Sequence, residues 1–259
     1  MSEDSLPKSS NPHKKNTSVF STLWSILTVA LIMATLFTLW TPANLFSSQM
    51  LDNMFQAFQA DPTLTIPTPT FVPRPRIGIV AGHWGNDSGA VCPDGLTEMQ
   101  VNLEIATRVQ NQLIAEGYEV DLLQEFDDRL NQYQALALVS IHNDSCAYVN
   151  DQATGFKVAA AASSAYPEKA ERLNVCLVDR YSKLTGMAFH ANSTTPDMIH
   201  YHTFREIHSN TTAAIIETGF LNLDRRILTE QPDLVAQGIT NGILCYVRNE
   251  PVPSMETSQ

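Results

Sequence analysis

The chain has 259 residues, 44% of them hydrophobic, and carries 27 acidic against 16 basic side chains, a formal net charge of −11. That length suffices for one ample domain with a sizeable core plus appendages. The acidic balance excludes nucleic acid as the main partner, because gripping a phosphate backbone needs basic surface.

Residues 1–18 are polar and charged with no apolar period, the pattern of a disordered tail. The next 22 residues, Val19 to Trp40 (VFSTLWSILTVALIMATLFTLW), contain no charge and meet the roughly 20 residues that a helix needs to cross a bilayer. A cleaved leader has a shorter apolar core, of about 7 to 15 residues, and a small-residue exit. This run is longer and leaves through Thr41-Pro42-Ala43-Asn44, which is not such an exit, so an uncleaved anchor over 19–41 is expected. Lys8, Lys14 and Lys15 precede it and the next basic residue is Arg74. The excess of positive charge puts the tail in the cytoplasm and everything after the anchor outside, in a single-pass membrane protein.

Residues 42–75 read as a linker. Leu51, Met54, Phe55 and Phe58 recur at helical spacing, which suits either a short interfacial turn or unstructured linker. Prolines at 62, 67, 69, 73 and 75 then impose extended backbone at about 3 Å per residue, a semi-rigid spacer of roughly 45 Å.

A globular domain is expected over 76–248, with a polar, loose tail over 249–259. Ile77 to Ala90 (IGIVAGHWGNDSGA) is an apolar run that stops at His83 and passes into glycine-rich turn chemistry. It suits a parallel strand covered on both faces, delivering His83 to the sheet edge where α/β folds keep their crevices. Thr97 and Gln100 have the spacing of a capping box, so Glu98 opens a helix that buries Val101, Ile105, Val109 and Leu113 and stops at Gly117. A second strand follows over 118–123, and Asp127 to Arg129 form a turn or short helix. Residues 135–141 (ALALVSI) are another buried strand, ending at His142. A strand near 155–161 and a helix from Pro167 to Leu184 with Gly186 after it come next. Residues 187–212 are irregular, with His190, His200, His202 and His208 scattered through them. Residues 213–217 form a last strand ending in Glu217, and a closing helix runs from Pro232 to Val247. Strands alternating with helices make this an α/β domain with a mostly parallel sheet.

Outside the membrane, disulfides persist. Of the four cysteines, Cys92 lies after His83 and Cys146 just beyond His142, placed either to bridge two loops of one site or to stand apart. Cys176 and Cys245 fall on apolar helix faces, where small buried side chains are an equal reading. No C-x-x-C pair occurs, which argues against a cysteine-rich structural zinc site.

Three strand ends and one helix start thus present His83, His142, Glu217 and Glu98. Singly, each has a bland reading: a structural histidine, or a charge that complements a helix dipole. Together they bring two carboxylates to one sheet edge, which costs stability unless a cation offsets it. Two imidazoles and one carboxylate make a zinc set with an open fourth position. The remaining carboxylate can carry a water's proton to a leaving amine, a combination suited to amide hydrolysis.

Ala81-Gly82-His83, Glu98 with Val101-Asn102-Leu103, Ser140 to Asn143 and Glu217 to Leu221 resemble, in order from about Arg76 to Val247, the four signatures of the zinc-dependent N-acetylmuramoyl-L-alanine amidases. The resemblance implies a single three-layer α/β/α domain, zinc held by His83, Glu98 and His142, and Glu217 as the catalytic carboxylate. It further implies peptidoglycan as substrate, cut at the amide between N-acetylmuramic acid and L-alanine. Two departures stand out. Trp84 replaces a glycine common after the histidine, offering either a sugar-stacking face or a packed loop aromatic. Only a short loop separates His142 from Gly155, too little for the occluding insertion that some members carry, so the site is expected to be open. A zinc peptidase acting on peptide ends and a wall-binding module without turnover are the alternatives.

Overall fold

A computed structural model of the chain describes residues 19–40, Asp52, Phe55 and 74–252. Two compact units divide at Thr70 and Phe71. Of the first, the helix α1 (Val19–Trp40) is described. Its stretch Thr22–Leu39, with mean hydropathy 2.0 and no buried residue, is long and apolar enough to cross a membrane by length and composition. Asp52 and Phe55 are helical and exposed. The tail 1–18, the other residues of that helical spacing, the proline-rich stretch up to 73 and residues 253–259 lie outside the described residues.

In the second unit the described strands are β1 (Arg76–Ala81), β2 (Glu119–Leu123), β3 (Ala137–Asp144), β4 (Lys157–Ala160) and β5 (Thr212–Phe220). They form one sheet in the order β2-β1-β3-β5-β4, parallel throughout except for the antiparallel edge strand β4. Alternate residues serve opposite layers, as the two-residue period of a strand requires. Ile77, Ile79, Val139, Ile141, Ala214 and Ile216 share a core with the three long helices α2 (Glu98–Ala115), α3 (Pro167–Thr185) and α7 (Pro232–Val247). Val80, Leu138, Ala213 and Ile215 face a second core under Tyr133, Met198, Tyr201 and Phe204. That layer includes the short helices α4 (Pro196–Ile199) and α5 (Thr203–Glu206). The three-layer α/β/α arrangement is thus present, with one layer built largely from loops.

The helix signals hold. Thr97 and Gln100 form the capping box in full, and Gly117 takes the left-handed conformation after α2 at φ +93°. Several boundaries differ. β3 runs on through His142 to Asp144, and β5 runs past Glu217 to Phe220, because the two strands pair with His142 opposite Glu217. Both residues therefore lie inside strands. The helix from Pro167 runs one residue beyond Leu184, to Thr185, and the short helix α6 (Arg225–Glu230) has no apolar period to announce it. The start of the tail is tied down: Arg172 donates to the Glu250 carbonyl and Arg180 pairs with the Glu250 carboxylate at 3.1 Å.

All four cysteines are paired. Cys92–Cys146 joins the loop after β1 to the loop after β3, and Cys176–Cys245 joins α3 to α7. The second pair resolves the bland reading of those residues in favour of a covalent link.

Candidate metal centre

β1 ends because its glycine must. A Cβ on Gly82 would lie 2.3 Å from the His142 ring, so only glycine lets the first strand pass that imidazole. His83 then turns the chain with φ +65°, a conformation uncommon outside glycine, and its backbone N–H is held by Glu125 Oε2 at 2.6 Å. The ring swings back over the start of α2, where Nε2 lies 3.1 Å from Glu98 Oε1. On the strand beside β1, His142 brings Nδ1 to 3.3 Å from the same oxygen. His83, Glu98 and His142 each offer a donor atom within 4.8 Å of the other two.

Glu98 is fixed from every side. Its Oε2 accepts from the Ala90 N–H at 3.1 Å, and its Oε1 accepts from Asn102 Nδ2 and the Asn143 N–H, each at 3.3 Å. Asn102 also donates to the Gly82 carbonyl at 3.1 Å, tying α2 to the end of β1. Asn143 and Thr218 complete a buried polar chain between α2, β3 and β5. A Cβ on Gly89 would fall 2.6 Å from Glu98 Oε2, so the glycine-rich loop is packed against the carboxylate.

Glu217 stands opposite both His142 and Lys157 in the register of the sheet. Its Oε2 is buried with no hydrogen-bond partner. Burial pushes its carboxyl up to about 7, with Asp144 and Glu98 adding to the rise and His142 and Lys157 opposing it. Lys157 is buried beside it and paired with Asp144 at 2.7 Å. Burial opposes ionisation of Glu98 too, but the hydrogen bonds from His142 and His83 hold it well below the carboxylate range. The hydrogen bond that its ring donates to Glu98 in turn lifts His83 to about 9. Such a set, with ring nitrogens facing carboxylate oxygens, is one whose protons a binding cation would displace.

Three groups around the donors carried no distinctive signal in the sequence. Asp87 accepts from His83 Nδ1 at 2.6 Å; its place four residues after a histidine in a tight turn is the hint that was available. Tyr201 Oη lies 3.2 Å from His142 Nε2 and donates to Glu125 Oε1 at 2.6 Å. His202 reaches that same oxygen at 2.8 Å. Glu125 follows a strand and Tyr201 sits in the irregular stretch, so nothing local marks either. Trp84 is half-buried and packed on the core, which favours its bland reading. Glu206 pairs with His202, and Arg205 donates to the His200 carbonyl.

Fold and site define an α/β protein that gathers three donor side chains able to hold a metal ion, and a carboxyl with a buried oxygen, along the carboxyl edge of its central sheet. The chain belongs to the N-acetylmuramoyl-L-alanine amidase family, whose model matches residues 77–245. It is similar to the N-acetylmuramoyl-L-alanine amidase AmiC of Neisseria meningitidis serogroup B, 36% identical over 91 residues that make up 32% of this chain and 22% of that one. The chain thus spans only about a fifth of that relative's length. Its fold is similar to that of the catalytic domain of CwlV, an N-acetylmuramoyl-L-alanine amidase from Bacillus (Paenibacillus) polymyxa var. colistinus. There the identity is 26% and the TM-score 0.51, over 67% of this chain and 98% of that one. The N-acetylmuramoyl-L-alanine amidase from Clostridium difficile 630 shares the fold at 24% identity and TM-score 0.55, over 70% of this chain and 100% of that one.

Proposed function

We propose that this is a zinc-dependent hydrolase that cuts the amide between N-acetylmuramic acid and L-alanine in peptidoglycan. On this reading α1 holds it to the membrane, with the tail 1–18 inside, the linker 42–75 outside and the catalytic domain over 76–248. His83, Glu98 and His142 hold the zinc, and Glu217 is the catalytic carboxylate. The observation that carries this is the meeting of three metal-type donors with a buried acid oxygen that has no partner, in a chain of this family. The donor set fits: two imidazoles and one carboxylate are what catalytic zinc accepts, with a position left open.

When bound, zinc supplies a Lewis acid for the amide carbonyl and brings the pKa of a water down to about 7. Glu217 does the proton work. Its carboxylate takes a proton from the attacking water as the C–O bond forms, then passes it to the L-alanine nitrogen as the C–N bond breaks, so the amine leaves neutral. A pKa that burial lifts toward neutrality suits a group that must both accept and release a proton near pH 7. Lys157 favours the Glu217 charge and Asp144 opposes it, and neither bonds the Oε2 atom.

The test uses the chain from residue 71 onward, purified without any second protein. Bound metal and newly freed L-alanine amino termini from purified peptidoglycan are measured for it and for Glu217→Gln. The expected result is activity with no activator, and a variant that keeps its metal but loses roughly 10²–10⁴-fold in rate. Undiminished release by Glu217→Gln removes that residue from the mechanism. Faster cleavage of unlinked peptides than of muramyl-peptides replaces this reading with a peptidase.

A further inference from the structure

We propose that Tyr201 and Glu125 are positioning residues that fix the ring tautomer of His142, so that Nδ1 and not Nε2 is the atom it offers to the cation. The inference rests on the reading of His83, Glu98 and His142 as ligands, and adds which nitrogen His142 uses and what holds it there.

A neutral imidazole has one N–H and one lone pair, and a cation takes the lone pair. On His142, Nδ1 faces Glu98 Oε1 at 3.3 Å, the oxygen that His83 Nε2 also approaches, at 3.1 Å. Nε2 points the other way, to Tyr201 Oη at 3.2 Å and Glu125 Oε2 at 3.5 Å. Tyr201 has a single proton to give, and it lies along the 2.6 Å bond to Glu125 Oε1. Its oxygen is therefore left to accept, and the donor it accepts from is His142 Nε2–H. The chain of donors runs one way, from Nε2–H to Oη–H to carboxylate, and leaves the Nδ1 lone pair on the side of Glu98 and His83.

Glu125 is held as an acceptor by three donors. It takes the His83 backbone N–H on Oε2 at 2.6 Å, and Tyr201 and the His202 ring on Oε1. One buried carboxylate thus sets the backbone of His83 and, through Tyr201, the tautomer of His142. His83 has its own partner at the back, Asp87 on Nδ1 at 2.6 Å, which leaves Nε2 as its donor atom. Each metal-facing ring is then backed by a carboxylate, directly in one case and through a phenol in the other, the arrangement that fixes ring orientation and raises ligand basicity. Packing alone explains the Tyr201 ring, which stacks edge-on with His142 and Phe204. It does not explain the hydroxyl.

The experiment uses the full chain in detergent, loaded with cobalt(II) or zinc. In the cobalt form each ligating histidine with an N–H at the other nitrogen gives an exchangeable, strongly shifted proton signal that disappears in D2O, and two are expected. Tyr201→Phe keeps the ring and removes the oxygen. It is expected to shift or broaden the His142 signal alone and to weaken zinc binding, measured by chelator competition, roughly 10- to 100-fold. Asp87→Asn is expected to move the His83 signal instead. Wild-type positions for both signals together with unchanged zinc affinity in Tyr201→Phe overturn the inference and leave the ligand assignment standing. A wild-type chain that takes up no metal overturns both. A measurement that needs no variant is the nitrogen-15 spectrum of histidine-labelled, zinc-loaded chain, where His142 is expected as the Nε2–H tautomer; finding its proton on Nδ1 overturns the inference outright.

Discussion

At Glu217, burial, Asp144 and Glu98 disfavour the charged form, while His142 and Lys157 favour it. Its carboxyl titrates near 7 in the folded metal-free chain, against an ordinary value of 4.5. Between those two pH values the folded chain holds a proton that the unfolded chain has lost. The stability this contributes is whole below about 4.5 and is lost as pH rises through about 7. Glu217→Gln has nothing to ionise, so it is expected to stabilise the metal-free chain by roughly 1–3 kcal/mol at pH 8 and to leave it unchanged at pH 4. Thermal unfolding of both proteins across that range reads the difference, and a stability gap that does not vary with pH rejects the assigned burial cost. A divalent cation at the neighbouring donors favours the ionised carboxylate, so saturating metal is expected to shrink the gap. At this scale the ligand types and the acid were legible because apolar strands and a capped helix gain nothing from ending in His83, His142, Glu217 and Glu98. Asp87, Glu125 and Tyr201 were not, because each acts only through a residue far from it in the chain or hidden in a turn.

Among the elements, the long helices were the most legible. Their apolar periods, capping box, first-turn prolines and terminal glycines are local: α2 begins at its capping box and stops before Gly117, α3 stops before Gly186, and α7 begins at Pro232. Strand ends were harder. The apolar run of β3 stops at Ile141, yet pairing with β5 carries the strand through three polar residues whose side chains find partners in the site. The short helices α4 and α5 have too few residues for a period to show. What joins elements was least legible of all: Cys176 and Cys245 lie 69 residues apart, and only the packing of α3 on α7 brings them together. That packing is close, with Gly238 and Gly242 set against Tyr181 and Leu177 so that a Cβ at either would fall within 2.9 Å of a neighbour. The disulfide therefore closes a long loop across a well-fitted helix pair. Replacing both cysteines by alanine is expected to cost about 2–5 kcal/mol. Because the bridge lies in the helix layer away from Glu98 and Glu217, the rate per folded molecule is expected to be unchanged at 25 °C. Urea unfolding with and without the bridge, alongside amidase assays, checks both halves; a large loss of rate in a chain that remains folded shows that this layer governs the site.

At the scale of the whole molecule, α1 is expected to be dispensable for the proposed activity of the second unit. Its residues from Thr22 to Leu39 are all exposed, and an apolar surface of that length is not sustained in water by a monomeric protein. A bilayer removes it from water at about 25 cal/mol per Å² of apolar area, which dwarfs the pull of the few lysines in the tail. The second unit is the reverse case: it buries two apolar cores, one on either face of the sheet. The two units are therefore expected to separate cleanly. Full-length chain is expected in the membrane fraction, resistant to high salt and released by detergent. Chain beginning at residue 71 is expected in the soluble fraction, with the same kcat on a small soluble muramyl-peptide. Full-length expression that yields a soluble product shortened at its N-terminus makes α1 a cleaved leader. Loss of kcat in the truncated chain places part of the catalytic machinery before residue 71.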